Sequence, residues 1–197
     1  MTALAISNIV LWLVVICLVL VLLALTRQLG VLHERIAPAG ALMINRGPAI
    51  GEAMAVLDVV DLHGRELRIG AARADGRSTL VLFVSPTCPV CKVLLPAVIS
   101  SRDQERDWLD VVLASDGEPA EHRQFVQQHG LQDCVYVLSP ALGLSYQVNR
   151  LPFAALIDAA GVLRARGLVN SREHLESLFE AQRLGVASLQ EYFASKA

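Results

Sequence analysis

The chain carries no excess of positive charge. Lysine and arginine total 17 against 19 acidic residues, for a formal net charge of -2, which leaves no electrostatic footprint for nucleic acid. Cysteine is scarce too. There are four, only two of them close in sequence, so they make no disulfide framework. The same shortage bears on metal: structural zinc takes four ligands, usually as two close pairs. Cys88 and Cys91 could be joined by Cys134 and a histidine such as His129, but a second close pair is absent, so no metal site is expected. Internal repeats and low-complexity tracts are absent, and 197 residues leave room for one domain and an appendage.

What the chain has in quantity is apolar side chains: 54% of residues are hydrophobic and mean hydropathy is +0.48. The excess sits at the N-terminus. From Ile9 to Leu25 no residue is charged, and Leu, Val and Ile dominate, with Trp12 near the start. With its flanks the run reaches the roughly 20 residues that span a ~30 Å hydrocarbon core. A cleavable signal peptide would need basic residues before the run and a small-x-small site after it. Neither is present, since Leu25-Thr26-Arg27 follows. Residues 1–26 are therefore expected to be a retained single transmembrane helix, with Cys17 as a small lipid-facing hydrophobe. Arg27, Arg35 and Arg46 follow this helix and no basic residue precedes it, so the positive-inside rule favours a cytoplasmic domain.

Residues 27–47 have no sustained period and contain Pro38, Gly40 and Gly47, as a juxtamembrane connector would; His33 and Glu34 read as an exposed polar pair. A folded domain is expected over 48–185. Val56–Leu62 and Glu66–Ile69 flank His63-Gly64-Arg65 and predict a β-hairpin. Leu80–Val84 predicts a buried strand. The segment after Cys91 predicts a helix with Val93, Leu94, Val98 and Ile99 on its apolar face, kinked at Pro96. Strand Leu109–Ala114, helix Pro119–His129 ending at Gly130, strand Val135–Leu138 and a helix or turn over Ser139–Val148 follow. Phe153–Ile157 and Val162–Ala165 predict an antiparallel pair around Gly161. Ser171 is placed to cap a last helix with Leu175, Leu178 and Phe179 on one face. In the tail, residues 186–197, Ser188 and Glu191 have capping-box spacing. Strands alternating with helices imply an α/β layered domain around a central sheet.

The chemistry is concentrated at Cys88-Pro89-Val90-Cys91, which the Ser85-Pro86-Thr87 turn delivers from the buried strand onto the first turn of a helix. A thiol at a helix N-terminus sees unpaired backbone N–H groups and the positive end of the helix dipole, both of which favour thiolate. Two cysteines separated by two residues can close a small disulfide ring, so that attack by one is resolved by the other. Lys92 and Thr87 flank the pair and are candidates for tuning it, although a lysine in a helix's first turn is ordinarily solvated. Cys134 reads as a half-buried structural thiol. A peroxidase reading is disfavoured, because the Pro-x-x-x-Thr-x-x-Cys spacing is missing.

The strand–CPVC–helix unit, Pro96 and the Leu151-Pro152 step before FAALID resemble the thioredoxin fold, a central mixed sheet flanked by helices, over about Pro48–Arg183. The early hairpin and IDAAG resemble its membrane-anchored TlpA-like and peroxiredoxin-like branch. The apolar N-terminus, HERIAPAGAL and SPTCPVCK together resemble the MauD family of methylamine utilisation proteins. That resemblance implies a thiol-disulfide oxidoreductase without a bound cofactor, its redox group being the Cys88–Cys91 disulfide. Cys88 would attack and Cys91 resolve. Pro152 would match the family's cis-proline, placing Leu151 and Pro152 beside the substrate. It implies a bacterial inner-membrane protein with a periplasmic domain, against the arginine count. The implied partners are the small subunit of methylamine dehydrogenase, other maturation proteins and a membrane redox partner.

Two departures from the thioredoxin pattern bear on mechanism. Leu82 stands six residues before Cys88, where thioredoxin has a buried acid, and Thr87 replaces the usual tryptophan. Without that acid, deprotonation of Cys91 has no obvious internal base. Pro89-Val90 also lacks the histidine of strongly oxidising relatives, so the direction of electron flow stays open. Two alternatives remain open: a thiol reductase of the cytochrome c maturation type, and a non-catalytic, membrane-tethered chaperone or docking module that binds an unfolded subunit by strand addition.

Overall fold

A computed structural model describes residues 6–21 and 47–184. They fall in two units that divide after Asn45. In the first, residues 6–21 form helix α1, whose side chains are all exposed; they include Trp12, at 62%, and a succession of Ile, Leu and Val. Among the described residues no helix is long and apolar enough to cross a membrane. The expected span extends to residue 26, and its last part lies outside the described residues, as do most of the connector and the whole 186–197 tail with Ser188 and Glu191.

The second unit opens with a two-stranded antiparallel hairpin, β1 (Leu57–Val60) and β2 (Glu66–Ile69). The hairpin turn is organised by one buried carboxylate. Asp61 accepts hydrogen bonds from the backbone N–H groups of His63 and Arg65, both at 2.8 Å, and from Arg65 Nε at 2.6 Å. Burial acts against the charged form, but the hydrogen bonds and charge of Arg65 and the hydrogen bond of His63 outweigh it and hold the carboxyl below its ordinary range.

A five-stranded mixed sheet follows, in spatial order β5-β4-β3-β6-β7. Its strands are β3 (Ser78–Phe83), β4 (Leu109–Ser115), β5 (Val135–Leu138), β6 (Phe153–Ile157) and β7 (Leu163–Leu168). β3 runs parallel to β4 and antiparallel to β6. A central strand covered on both faces has no solvent side, which is why every residue of β3 is buried and its sequence is apolar without alternation. Leu80, Leu82 and Val84 pack with α2 (Pro89–Gln104), α3 (Pro119–Gln128) and α5 (Arg172–Leu184). Val81 and Phe83 point to the opposite face, against the hairpin and α4 (Pro140–Ser145). The sheet edges are partly capped. Leu62 N–H donates to Tyr136 O on β5, and Gly51 N–H donates to Leu163 O on β7, at 2.9 and 2.8 Å.

The expected element order holds throughout this unit. The phase of α2 differs from the expectation. Val93 is 79% exposed, whereas Leu95 is 1% exposed and takes its place in the core. Cys91 is the reason: with its thiol under the sheet's end, positions 91, 94, 95, 98 and 101 turn inward at helical spacing, and Val93 faces out. Pro96 lies within the helix, which runs unbroken from Pro89 to Gln104. In α5, Leu175 and Phe179 are buried and Leu178 partly so, with Ser171 Oγ accepting from His174 N–H at 3.4 Å.

Candidate active site

The site forms where the central strand runs out. Val84 N–H still donates to Ala114 O at 2.9 Å, and the chain then turns through Ser85-Pro86-Thr87, with Cys88 N–H donating to Ser85 O at 3.1 Å. Ser85 Oγ braces this turn, accepting from Thr87 N–H at 3.2 Å and lying 2.9 Å from Thr87 Oγ1. Cys88 then becomes the N-cap of α2, in extended backbone, with Pro89 opening the helix. Proline suits that place because its missing N–H would have no intrahelical acceptor there and its φ is already helical.

Cys91 N–H donates to Cys88 Sγ at 3.2 Å, so the first thiol does the work of a capping oxygen. Both thiols are free. They differ in access: Cys88 is half-buried, while Cys91 has no exposed surface. Burial pushes the Cys91 thiol up to about 12, its hydrogen bond to Cys88 adds to the rise, and a backbone hydrogen bond from Ser85 partly opposes it. At neutral pH the reduced site thus presents one reachable sulfur and one shielded, protonated sulfur.

The register of the sheet brings Leu151 and Pro152 to the same end. Phe153 pairs with Phe83, so Pro152 continues β6 alongside Val84 and the turn that carries Cys88. The Leu151-Pro152 peptide is cis. Pro152 is buried and its carbonyl accepts from Val169 N–H at 3.0 Å, while Leu151 stays exposed. Leu82 is fully buried in the apolar cluster that contains Cys91. Thr87 and Lys92 are both exposed; the described hydrogen bonds of Thr87 go to Ser85, and Lys92 N–H donates to Cys88 O at 3.3 Å.

Cys134 is separate from this pair and is more enclosed than expected. It is 2% exposed rather than half-buried, and its Sγ accepts from Arg102 Nη1 at 3.0 Å. Its residence just before β5, with Leu131 and Val126 around it, is what removes it from solvent. Burial raises the thiol and the Arg102 guanidinium opposes the rise. His129 packs on Phe125 at 4.8 Å between ring centroids, and among the described residues no three His, Cys, Asp or Glu side chains converge to hold a metal. Sequence reading passed over His122, which is 1% exposed. Its spacing from Phe125 and Val126, three and four residues on, was the available signal that it faces inward.

A mixed sheet whose central strand hands two cysteines, one accessible and one enclosed, to a helix N-terminus, with a cis-proline at the adjacent strand's start, defines the thioredoxin-like class. Solved structures agree on the fold. The MTB protein dsbF aligns with a TM-score of 0.57 at 16% identity, covering 68% of this chain and 98% of that one. The pneumococcal exposed lipoprotein thioredoxin Etrx1 of Streptococcus pneumoniae aligns with a TM-score of 0.56 at 18% identity, covering 64% and 99%. A secreted Mycobacterium tuberculosis disulfide oxidoreductase gives 0.52 at 18% identity, covering 64% and 95%. No protein-family model matches the chain. Full-length relatives are much more similar. The methylamine utilization protein MauD of Paracoccus denitrificans is 48% identical over 190 residues, 96% of this chain and 94% of the relative. Those of Methylorubrum extorquens and Paracoccus versutus are each 45% identical, over 96% and 100% of this chain and 92% and 98% of theirs. The chain belongs to the MauD family of methylamine utilization proteins.

Proposed function

We propose that this protein is a membrane-anchored thiol-disulfide oxidoreductase that matures the small subunit of methylamine dehydrogenase in the bacterial periplasm. The observation that carries the chemistry is the difference in access between the two thiols of one helix turn. In the oxidising direction a substrate thiolate attacks Cys88 Sγ of the Cys88–Cys91 disulfide. The ring S–S bond breaks, Cys91 leaves and takes up a proton, and a mixed disulfide joins the substrate to Cys88. A second substrate thiolate then attacks the substrate sulfur and releases Cys88. Two electrons have passed to the cysteine pair, and a membrane redox partner would remove them. Isomerisation starts instead from reduced Cys88.

Substrate choice is drawn from kinship with the methylamine utilization proteins, and the anchor from α1, whose exposed Ile, Leu, Val and Trp side chains suit lipid better than water. Leu151 and Pro152 would receive the substrate strand next to Cys88. The test is a trap in cells: Cys91→Ser leaves the mixed disulfide at Cys88 unresolved, so its partner can be identified after acid quench. Capture of the dehydrogenase small subunit is the expected result and would also fix the side of the membrane. Capture of cytochrome precursors or of cytoplasmic proteins would overturn the assignment.

A further inference from the structure

The end of the sheet that holds the two cysteines carries charge of both signs, and the signs are separated. Lys92 follows Cys88 by four residues at the start of α2, and its N–H donates to Cys88 O at 3.3 Å. Residues so spaced share a helix face, and each Cα–Cβ bond tilts toward the N-terminus, so Lys92 leaves the helix toward Cys88. Arg150 stands two residues before Pro152, which the register places beside Val84 and the turn that carries Cys88. Both side chains are exposed. Asp116 and Glu118 are exposed as well, but they follow β4, which lies on the other side of β3 from β6 and Pro152.

Elsewhere in this unit arginines are neutralised locally: Arg65 by Asp61, Arg73 and Arg77 by Asp110, Arg164 by Asp158, Arg183 by Glu105. Lys92 and Arg150 pair with no carboxylate among the described residues. Arg150 is also held in place. Its turn runs between two buried residues, Tyr146 and Pro152. Within it Gln147 N–H donates to Leu144 O at 3.1 Å and Val148 N–H to Gly143 O at 2.9 Å. Gln147 adopts a φ of 50°, a left-handed conformation that a non-glycine residue keeps when its surroundings fix it. A cation on a fixed turn loses less freedom on meeting an anion. Two residues of chain span at most about 7 Å, and four residues of helix rise about 6 Å. Both cations are thus rooted within about a Debye length, ~8 Å at physiological salt, of a segment lying on Cys88 and Pro152.

We propose that Lys92 and Arg150 select protein substrates whose exchanging cysteine is flanked by acidic residues; this rests on the exchange reading above. The recognised element is a segment bearing Glu or Asp, laid over Cys88 and Pro152 with its carboxylates toward the two cations. A basic segment meets like charge there. An acidic segment displaced toward β4 meets Asp116 and Glu118 instead. The charges at this end therefore set both the kind of segment and the side on which it lies. Encounter with Cys88 is common to oxidation, reduction and isomerisation, so the selection holds whichever way the electrons pass.

The experiment uses reduced full-length protein carrying Cys17→Ser and symmetrical peptide disulfides that differ only in the residues flanking cysteine: Glu, Gln or Lys. The Cys88 thiolate attacks the peptide S–S bond, joins one peptide and releases the other as thiolate. Cys91 loses its proton to solvent, displaces the second peptide and closes the Cys88–Cys91 bond, so two electrons pass from the dithiol to the peptide disulfide. Each rate is divided by that of dithiothreitol, an uncharged dithiol, which removes the peptide's own reactivity. At low salt the Glu peptide should react roughly fivefold faster than the Gln peptide, about what two exposed ion pairs supply, and the Lys peptide more slowly than either. In the double variant Lys92→Gln, Arg150→Gln the Glu-to-Gln ratio should fall to about one. Taking that ratio cancels any effect of Lys92 on Cys88 itself. Arg106→Gln, an exposed arginine beyond α2 at the far end of the sheet, should keep the parent's ratio. High salt should lower the ratio in the parent, a readout that needs no substitution. A ratio of one in the parent at low salt, a ratio indifferent to salt, one that survives in the double variant, or one lost equally in Arg106→Gln overturns the proposal and leaves exchange intact. If the parent reduces none of the peptides, the exchange reading falls and this inference with it.

Discussion

Cys88 caps the helix that contains Cys91: the Cys91 N–H donates to Cys88 Sγ at 3.2 Å. The sulfur proposed to attack substrate is thereby also a structural one, and the two roles separate on substitution. Serine is a strong N-cap, whereas alanine offers no acceptor. Cys88→Ser should match or exceed the parent in urea denaturation and lose all disulfide exchange. Cys88→Ala should lose exchange and about 1 kcal/mol of stability as well. Full exchange in Cys88→Ser would refute its role as the attacking thiol.

The reduced and oxidised proteins should respond differently to alkali. Folding raises the Cys91 thiol from 9.0 to about 12, burial being the main cause. The unfolded chain releases that proton first, so the native state's contribution is whole below pH 9 and declines as pH rises toward 12. Formation of the disulfide removes the titrating group. Denaturation midpoints of the two forms should therefore diverge above pH 9, with the reduced form falling faster; parallel curves would contradict the enclosed thiol.

Leu151 offers a test of the substrate side. It is 38% exposed, next to the buried Pro152. Covering one leucine in an interface contributes about 1.5 kcal/mol, which corresponds to roughly tenfold in affinity. Leu151→Asp should raise KM for a protein substrate by about that factor and leave exchange with a small disulfide unchanged. Equal effects on both substrates would place Leu151 outside the docking surface.

Asp61 carries the hairpin turn. Its side chain has no exposed surface and accepts three hydrogen bonds. Asp61→Ala strands two backbone N–H groups and should cost about 2 kcal/mol, measured by denaturant titration. Because folding lowers this carboxyl, its contribution is present above the ordinary aspartate range and is lost as pH falls through the folded value. The parent should thus lose more stability in acid than Asp61→Asn does.

Much of this molecule was legible in its residues. Apolar runs such as Leu80–Val84 marked the buried strands, Gly and Pro marked the turns, and the spacing of Cys88 and Cys91 marked the pair that shares the first turn of α2. These are local signals: a strand covered on both faces must be apolar throughout, and a Pro at a helix start needs no partner. Element order followed from them, and with the Leu151-Pro152 step it led to the thioredoxin-like fold. The N-terminal run also declared its hydrophobicity without any structure.

Other properties depended on what tertiary packing set opposite each residue. Val93 and Leu95 are both apolar, and only the burial of Cys91 decided which one faces the core. Nothing local to Cys134 showed that Arg102, distant in sequence, would donate to its sulfur. His122 and Tyr136 are fourteen residues apart, and neither resembles a motif. Their hydrogen bond exists because β5 lies beside β4 while α3 crosses the same face. Short-range patterning therefore determined the elements and the placing of the two cysteines on one helix turn, because both are written in neighbouring residues. Access and proton chemistry at the thiols were decided by the fold, because burial and pairing are set by residues that meet only when the sheet assembles.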